Sequence, residues 1–181
     1  AKPRPHVALV TLDRPERMNA LSFDLVVPLV ESLRTVAADN DAWVVVLTGA
    51  GRGFCSGLDL EDHGAPPGID GLPMSRIAIR AMETMSDLVP LLRSMPQPVI
   101  AAIHGYCLGV ASQLAVMCDI TVIAEDAKVG LPSIPLGGGM ISPMYSWLIG
   151  PKRAKEMTYT IGAQIDGKTA ADWGWANRAV P

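Results

Sequence analysis

The sequence predicts a single domain of the α/β class, and three observations support this prediction. The chain has 181 residues, of which 49% are hydrophobic and only 18% are charged, so it can bury one substantial core. Short β-branched apolar runs recur along it, separated by longer segments with apolar residues at helical spacing. Strands that alternate with helices in this way are typical of α/β proteins.

Four apolar runs predict strands. They cover residues 7–12, 43–48, 98–103 and 120–124. Each run is continuously apolar instead of alternating with polar residues, which is the pattern of a strand buried on both faces. We therefore expect a sheet whose faces are covered by helices.

Two segments between these runs predict amphipathic helices. Ser22 is a candidate N-cap for a helix over residues 22–38, in which Pro28 either produces a kink or lies in the first turns. A second apolar stripe covers residues 75–93. The irregular stretch at residues 61–73 predicts an exposed loop over a site or a locally disordered flap.

Charge and cysteine content exclude several classes of protein. The formal net charge of −3 and the pI near 5.5 provide no general attraction to nucleic acid or to anionic lipid. Cys55, Cys107 and Cys118 are not spaced as a metal site or a CxxC pair, so we expect reduced thiols, a cytoplasmic location and no metal. The chain opens with AKPRPH, unlike a signal peptide, and its most apolar region is broken by polar residues, so we expect a soluble protein.

The stretch GFCSGLDL at residues 53–60 leaves three kinds of site open. Cys55 occupies the centre of a G-x-nucleophile-x-G pattern, but the glycine- and proline-rich sequence after it does not predict the helix that such an elbow needs. A phosphate loop is disfavoured because the glycines lack both the P-loop and the dinucleotide-binding spacing. The third alternative is that backbone N–H groups form the site.

A second glycine-bearing turn, at residues 104–110, favours this third alternative. In both places a strand leads into a tight turn, and the first N–H groups after such a turn lack partners within their own segment. Two such turns that face each other could hold a carbonyl oxygen and stabilise the negative charge of an enolate.

Taken together, the motifs resemble the crotonase superfamily, also called the enoyl-CoA hydratase/isomerase family. The resemblance covers nearly the whole chain in the right order. It is carried by LDRPERMNAL at residues 12–21, VLTGAGRGFCSGLD at 46–59, PVIAAIHGYCLG at 98–109, MCDITVIAEDAK at 117–128 and DGKTAADWGWANRAV at 166–180.

For the fold, the resemblance implies a ββα spiral, in which two roughly perpendicular sheets are wrapped by helices. Members of the family usually assemble as homotrimers or hexamers. They usually also continue for several dozen residues past the position of Pro181, so residues 1–181 are expected to form a single core domain that lacks the usual C-terminal helical region.

For the chemistry, the resemblance implies an acyl-CoA thioester as the substrate, with no cofactor because CoA is part of that substrate. The backbone N–H groups of Leu58 and Val110 are the implied oxyanion donors. The residues implied to contact the substrate and its CoA are Arg17, Met18, Ser56, Gly57, Asp59, Leu60 and Gly109.

The chain departs from the family at the positions of two catalytic glutamates, which here are Gln113 and Ser133. An amide can orient water but cannot accept a proton near neutral pH. The chain also has Val110 and Ala111 where the family usually continues with glycine, which restricts the backbone. The other candidate acids or bases are Asp59, Glu61, Asp62 and His63 after the first turn, and Tyr145.

Three functions therefore stay open from the sequence. The first is an enzyme of the enoyl-CoA hydratase/isomerase type that stabilises a thioester enolate. The second is a thioester hydrolase, decarboxylase or isomerase that uses a different acid or base. The third is a non-catalytic acyl-CoA-binding paralogue, which the absence of both glutamates favours.

Overall fold

The computed structural model describes residues 3–61, 64, 65, 67–132 and 143–181. Its helical and extended elements are, in chain order, β1 (Val7–Leu12), the 3-10 helix η1 (Pro15–Arg17), α1 (Phe23–Ala37), β2 (Val44–Gly49), α2 (Met74–Ser86), α3 (Leu88–Ser94), β3 (Val99–Ile103), β4 (Tyr106–Leu108), α4 (Val110–Met117), β5 (Ile120–Ala124), β6 (Lys128–Gly130), α5 (Pro143–Tyr159), β7 (Gln164–Asp166), α6 (Gly167–Trp173) and β8 (Arg178–Val180).

A five-stranded sheet contains all four of the predicted strands. Its strand order is β1-β2-β3-β5-β8, and every neighbouring pair is parallel. Two of the predicted strands begin one residue too early, at Trp43 and at Pro98. Trp43 is 65% exposed and stacks on the His6 ring at a centroid distance of 3.8 Å. Trp43 fits the apolar pattern of the strand, but its ring packs outside the sheet.

A smaller three-stranded sheet has the order β4-β6-β7 and mixes parallel with antiparallel pairing. The predicted α/β class with two sheets is therefore confirmed. On the other side of β4, Cys55 pairs in parallel with Cys107, and Leu58 in turn pairs with Leu21. The stretch that contains the first glycine turn is thus held between two neighbouring segments of chain.

Both predicted helices differ from the prediction in one detail. Ser22 occupies the N-cap position of α1, but its side chain makes no capping hydrogen bond, because its hydroxyl is turned into the protein. The single helix predicted over residues 75–93 is two helices, α2 and α3, which meet at Asp87. Helix α5 is interrupted at Gly150, where φ is +78°.

The core lies between the five-stranded sheet and the helices packed against it. Helix α1 contacts β1 and α3, and α3 contacts α4. The fully buried side chains include Leu12, Leu33, Val45 and Val99. Helix α4, which begins directly after the second glycine turn, is therefore anchored in the core on the side away from that turn.

None of the helices in the described ranges is both long and apolar enough to cross a membrane. Within the same ranges, no three His, Cys, Asp or Glu side chains are grouped as metal ligands. The expectations that no metal or cofactor is needed, and that residues 1–181 form one domain, stay predictions.

Candidate active site

The first glycine turn is held in place by backbone hydrogen bonds on both sides. Ser56 N–H donates to Met18 O at 3.0 Å, and Leu21 N–H donates to Gly57 O at 2.7 Å. On the other side, Cys55 N–H donates to Tyr106 O at 2.9 Å. These bonds bring the predicted residues of the first turn next to Arg17 and Met18, as the sequence predicts.

The second glycine turn joins β4 to α4. Gly109 is the N-cap of α4, with φ of +56° and ψ of −125°, a conformation that favours glycine. Its N–H donates to Gly130 O at 2.9 Å. Val110 is the first residue of the helix, so only Gly109 has a positive φ. Val110 and Ala111 have ordinary helical backbone, and their side chains therefore do not restrict the turn as the sequence predicts.

The two turns lie side by side. A Cβ atom added to Gly57, where φ is +103°, would lie 2.9 Å from Leu108 O and 3.7 Å from Gly109 Cα. A Cβ added to Gly109 would lie 4.0 Å from Gly57 Cα. The peptides that follow the two glycines are therefore neighbours, and there is no room for a side chain at Gly57.

Each of these two peptides has an N–H group that donates no hydrogen bond to another described residue. In the pairing with Leu21, the bonds are made by Gly57 O and Asp59 N–H, so the Leu58 N–H lies on the opposite edge of its segment. Within the described part of the chain, neither the Leu58 N–H nor the Val110 N–H has a hydrogen-bond partner. Leu58 and Val110 are 44% and 45% exposed as whole residues, so both turns lie near the surface.

A charged network lies directly behind the first turn. Asp59 is 3% exposed, and its carboxylate accepts hydrogen bonds from Arg14 Nη1 at 2.6 Å and from Arg17 Nη2 at 2.9 Å. Arg17 also pairs with Glu61 at 3.0 Å. The hydrogen bonds to Asp59, and then those to Glu61, raise the pKa of Arg17 above its ordinary value. Arg17 thus has two carboxylate partners, and its predicted contact with CoA phosphate stays a prediction.

Arg14 and Asn19 support the turn but were not identified from the sequence. Asn19 is fully buried, and its amide nitrogen donates to Ala50 O at 2.8 Å and Gly53 O at 2.9 Å. Its amide oxygen accepts from the Arg14 N–H at 2.9 Å. Both residues lie in the motif at residues 12–21, but the pattern does not show that their partners are 31 to 45 residues away.

The predicted acid–base positions lie partly within the described chain. Gln113 is half-buried in the first turn of α4, and its N–H donates to Gly109 O at 3.4 Å. Ser133, Asp62 and His63 lie outside the described residues. Tyr145 is fully buried, and burial raises its pKa, so its hydroxyl is neither exposed nor a ready proton donor to a substrate.

Cys55 is a poor candidate for a nucleophile. It is fully buried, and burial raises its pKa to about 12, so the reactive thiolate is strongly disfavoured. Its sulfur instead contacts the backbone of Gly57, accepting from the N–H at 3.4 Å. The alternative of a nucleophile elbow is therefore not supported.

His104 and Asp119 both contact backbone groups. His104 Nε2 lies 3.0 Å from Gly51 O, at the base of the loop that follows β2. Asp119 Oδ2 accepts from the Val99 N–H at 2.8 Å and so ties the start of β5 to the start of β3.

Comparison with protein families gives a match to the family model described as enoyl-CoA hydratase/isomerase, over residues 4–181. The probable enoyl-CoA hydratase echA12 of Mycobacterium bovis is 41% identical over 99% of this chain and 64% of that protein. The mevalonyl-coenzyme A hydratase sidH of Aspergillus fumigatus is 29% identical over 98% of this chain and 64% of that protein. The chain thus spans about 64% of the length of these curated relatives.

Solved structures give the same result for the fold. A probable enoyl-CoA hydratase/isomerase from Mycobacterium abscessus has a TM-score of 0.91 and 41% identity, covering 99% of this chain and 67% of that one. A monofunctional enoyl CoA isomerase from M. smegmatis has a TM-score of 0.79 and 36% identity, covering 100% of this chain and 75% of that one. The predicted crotonase-like fold is confirmed.

Proposed function

Because the chain belongs to the enoyl-CoA hydratase/isomerase family, we propose that it processes acyl-CoA thioesters by stabilising an enolate at the two glycine turns. The single observation that carries this proposal is the juxtaposition of Gly57 and Gly109, each followed by an N–H group without a partner in the described chain. Two backbone donors that converge on one oxygen act as an oxyanion hole without any ionisable side chain.

The roles follow from the geometry. The thioester oxygen accepts from the Leu58 and Val110 N–H groups and gains negative charge as a proton leaves the α carbon or as water adds to the β carbon. Val110 is the first residue of α4, so the positive end of the helix dipole also favours that charge. Met18, Ser56, Leu60 and the Asp59 network form the neighbouring wall, which is where the CoA moiety would lie.

The step that follows enolate formation needs an acid or a base, and the two usual glutamate positions do not provide one. Gln113 lies one helical turn from the second donor and can orient a water molecule, but it cannot act as a base. Together with Ser133 at the other glutamate position, this favours a second candidate, an acyl-CoA-binding paralogue without turnover. A hydrolase, decarboxylase or isomerase that uses another acid or base is the third.

Assembly and location are further parts of the proposal. We expect a homotrimer or hexamer that acts in the cytoplasm in fatty acid metabolism. The three buried, unpaired cysteines support a reducing compartment. Light scattering coupled to size-exclusion chromatography measures the assembly, and a stable monomer at micromolar concentration would contradict this part alone.

Calorimetric titration with CoA and acyl-CoAs, run beside an absorbance assay for the loss of crotonyl-CoA and other enoyl-CoAs, tests the function. We expect saturable binding of acyl-CoA and turnover of at least one enoyl-CoA. Binding without any product would favour the non-catalytic paralogue, and a different product would favour the third candidate. The absence of any acyl-CoA binding would contradict the proposal as a whole.

The double variant Gln113→Glu/Ser133→Glu tests whether the lost carboxylates limit hydration. We expect it to gain or increase hydratase activity, because each substitution restores a group that can exchange a proton near neutral pH. The matched control is Gln113→Met/Ser133→Ala, which changes both positions without adding a base. Equal hydration rates for the two double variants would show that these positions do not limit the reaction.

A further inference from the structure

A buried hydroxyl lies directly behind the second glycine turn. Ser112 is fully buried in α4, and its Oγ donates a hydrogen bond to Gly109 O at 2.7 Å. The next acceptor, Gly130 O, is 3.5 Å away, so the bond to Gly109 O is the dominant one. The Gly109 carbonyl belongs to the same peptide unit as the Val110 N–H.

The hydrogen bond from Ser112 to Gly109 O acts on the peptide that carries the Val110 N–H. Serine hydroxyls often bond to the carbonyl three or four residues earlier, usually with only a small effect on the helix. Here the carbonyl is that of the N-cap, and its peptide carries the proposed oxyanion donor. A hydrogen bond received at the carbonyl oxygen polarises the peptide and makes its N–H a stronger donor.

The same bond fixes the direction in which the Val110 N–H points. Gly109 O also accepts from the Ser112 N–H at 3.1 Å, and the preceding peptide is held by the Gly109 N–H at 2.9 Å from Gly130 O. Glycine at 109 gives the backbone unusual rotational freedom, so both peptides around it need to be held. The Ser112 hydroxyl is the only side-chain donor to the Gly109 carbonyl in the described part of the chain.

Two further polar groups are buried beside Ser112. Tyr145 and Trp175 are 0% and 2% exposed, with ring centroids 6.5 Å apart. Neither the Tyr145 hydroxyl nor the Trp175 indole N–H has a hydrogen-bond partner in the described chain, which is uncommon for buried polar groups. Burial raises the pKa of Tyr145, so the phenol stays protonated. Because neither of these groups bonds to the Ser112 hydroxyl, that hydroxyl is left to donate to Gly109 O.

We propose that Ser112 is a positioning residue that orients and polarises the Val110 N–H through its hydrogen bond to Gly109 O. As a thioester oxygen draws charge toward Val110, the Gly109 carbonyl becomes a better acceptor, and the Ser112 hydroxyl donates to it more strongly. The inference rests on the proposed function, because it assigns a role to a residue that supports one of its two donors.

The test uses a conjugated aromatic enoyl-CoA, whose absorption moves to longer wavelength when its thioester carbonyl is polarised. This readout needs binding but no turnover. For Ser112→Ala we expect an affinity close to that of the wild type but less than half of the absorption shift. On an enoyl-CoA that is turned over, we expect kcat to fall about tenfold with KM nearly unchanged, a fraction of the about 100- to 1,000-fold loss that follows removal of a whole oxyanion donor.

Two other variants complete the design. Ser112→Thr keeps a hydroxyl that can reach the same carbonyl, so it should restore most of the shift. Thr158→Val is the matched control, because Thr158 Oγ1 makes the same kind of bond, 2.7 Å to Ala154 O, at a buried position in α5, and this variant should keep the full shift.

The outcomes separate this inference from the proposed function. A wild-type protein that binds the probe without any shift, or does not bind it, overturns the oxyanion hole itself. A wild-type shift that Ser112→Ala retains in full, or that Thr158→Val loses equally, overturns the role of Ser112 alone. If Ser112→Ala does not fold, as judged by circular dichroism, Ser112→Cys keeps the size with a weaker donor, and a full shift in that variant overturns the inference.

Discussion

Gly57 combines a positive φ with a close approach of the neighbouring strand. A Cβ atom there would lie 2.9 Å from Leu108 O, closer than real Cβ contacts allow. The carbonyl of Gly57 is fixed by Leu21 N–H, and the N–H of Leu58 is in the same peptide. Any shift of this turn therefore moves a proposed oxyanion donor together with β4.

The substitution Gly57→Ala should weaken acyl-CoA binding and lower the free energy of unfolding. An L-residue in a left-handed conformation costs about 1–2 kcal/mol, and the contact with Leu108 O adds to that cost. Denaturant unfolding and acyl-CoA calorimetry measure the two effects.

Gly68→Ala is the matched control for Gly57→Ala. Gly68 also has a positive φ, +70°, but nothing lies within 4 Å of a Cβ added there. The free energy of unfolding of Gly68→Ala should therefore fall only because alanine is strained at a positive φ. Its affinity for acyl-CoA should equal that of the wild type. Equal losses of affinity in the two variants would contradict the assignment of Gly57 to the site.

Sequence reasoning predicted the two glycine turns, which the structure brings side by side, but it did not predict the contacts that support them. The Arg14–Asp59 pair and the contacts of Asn19 are not visible in the sequence, because each joins segments more than 30 residues apart. The family resemblance implies that Arg17 contacts CoA, whereas the fold provides it with two carboxylate partners.

Helix α6 has a defined N-terminal cap. Asp166 is the N-cap residue, and its carboxylate accepts from the Thr169 N–H at 2.8 Å. That hydrogen bond, a further one from the Thr169 side chain, and the nearby charges of Lys128 and Lys168 lower the pKa of Asp166. The ionised carboxylate is therefore favoured in the folded protein.

The sign of the pH dependence follows from that lowered pKa. The ionised cap contributes stability above the pKa that Asp166 has in the unfolded chain, and this contribution is lost as the pH falls through the lower folded pKa. Asp166→Asn still caps the helix but does not titrate. The wild type should be more stable than this variant near pH 7, and the difference should shrink below about pH 4.

Denaturant unfolding between pH 3 and about pH 7 compares the free energy of unfolding of the wild type with that of Asp166→Asn. Asp70→Asn serves as the control, because Asp70 is exposed and makes no hydrogen bond or ion pair within the described residues. A difference for Asp166→Asn that stays constant with pH would show that the charge of the cap does not stabilise α6.

Whether an element was predicted depended mainly on its length. The four strands of five or six residues and helix α1 have apolar patterns long enough to identify, whereas β4, β6, β7 and β8 have only three residues each. The break between α2 and α3 was missed because the apolar stripe continues through Asp87. The short strands of the second sheet are stabilised by their neighbours more than by their own sequence.

In the molecule as a whole, all three cysteines are buried and unpaired. Burial raises the pKa of Cys55 and of Cys118 to about 12, and it raises the pKa of Cys107 well above its ordinary value. Because alkylating reagents react with thiolates, a pKa this high reduces the reactive fraction on the order of 1,000-fold.

We therefore expect the native protein to resist a thiol-specific reagent at pH 7. After unfolding in guanidinium chloride, all three cysteines should react, because each thiol then returns to its ordinary pKa and becomes accessible. Mass spectrometry counts the modified thiols in each state. Rapid modification of a single cysteine in the folded protein would contradict the burial of that residue.

The overall architecture was predicted from the order of the motifs. Periodicity alone indicates the α/β class, and the family resemblance, which the comparisons confirm, implies two sheets wrapped by helices. The number and order of the strands in each sheet come from the structure alone. Contacts that join distant segments cannot be derived from local patterns. The acid or base of the reaction stays undetermined from the sequence because Gln113 and Ser133 replace the usual carboxylates.

The pair formed by Val99 and Asp119 keeps α4 in place between two strands. The Asp119 N–H donates to Val99 O at 2.9 Å, while the Asp119 carboxylate accepts from the Val99 N–H at 2.8 Å. A slip of β5 along β3 would break both bonds at once. The pair therefore fixes the register of β5 against β3 at the end of α4 opposite the second glycine turn, which limits how far that helix can shift.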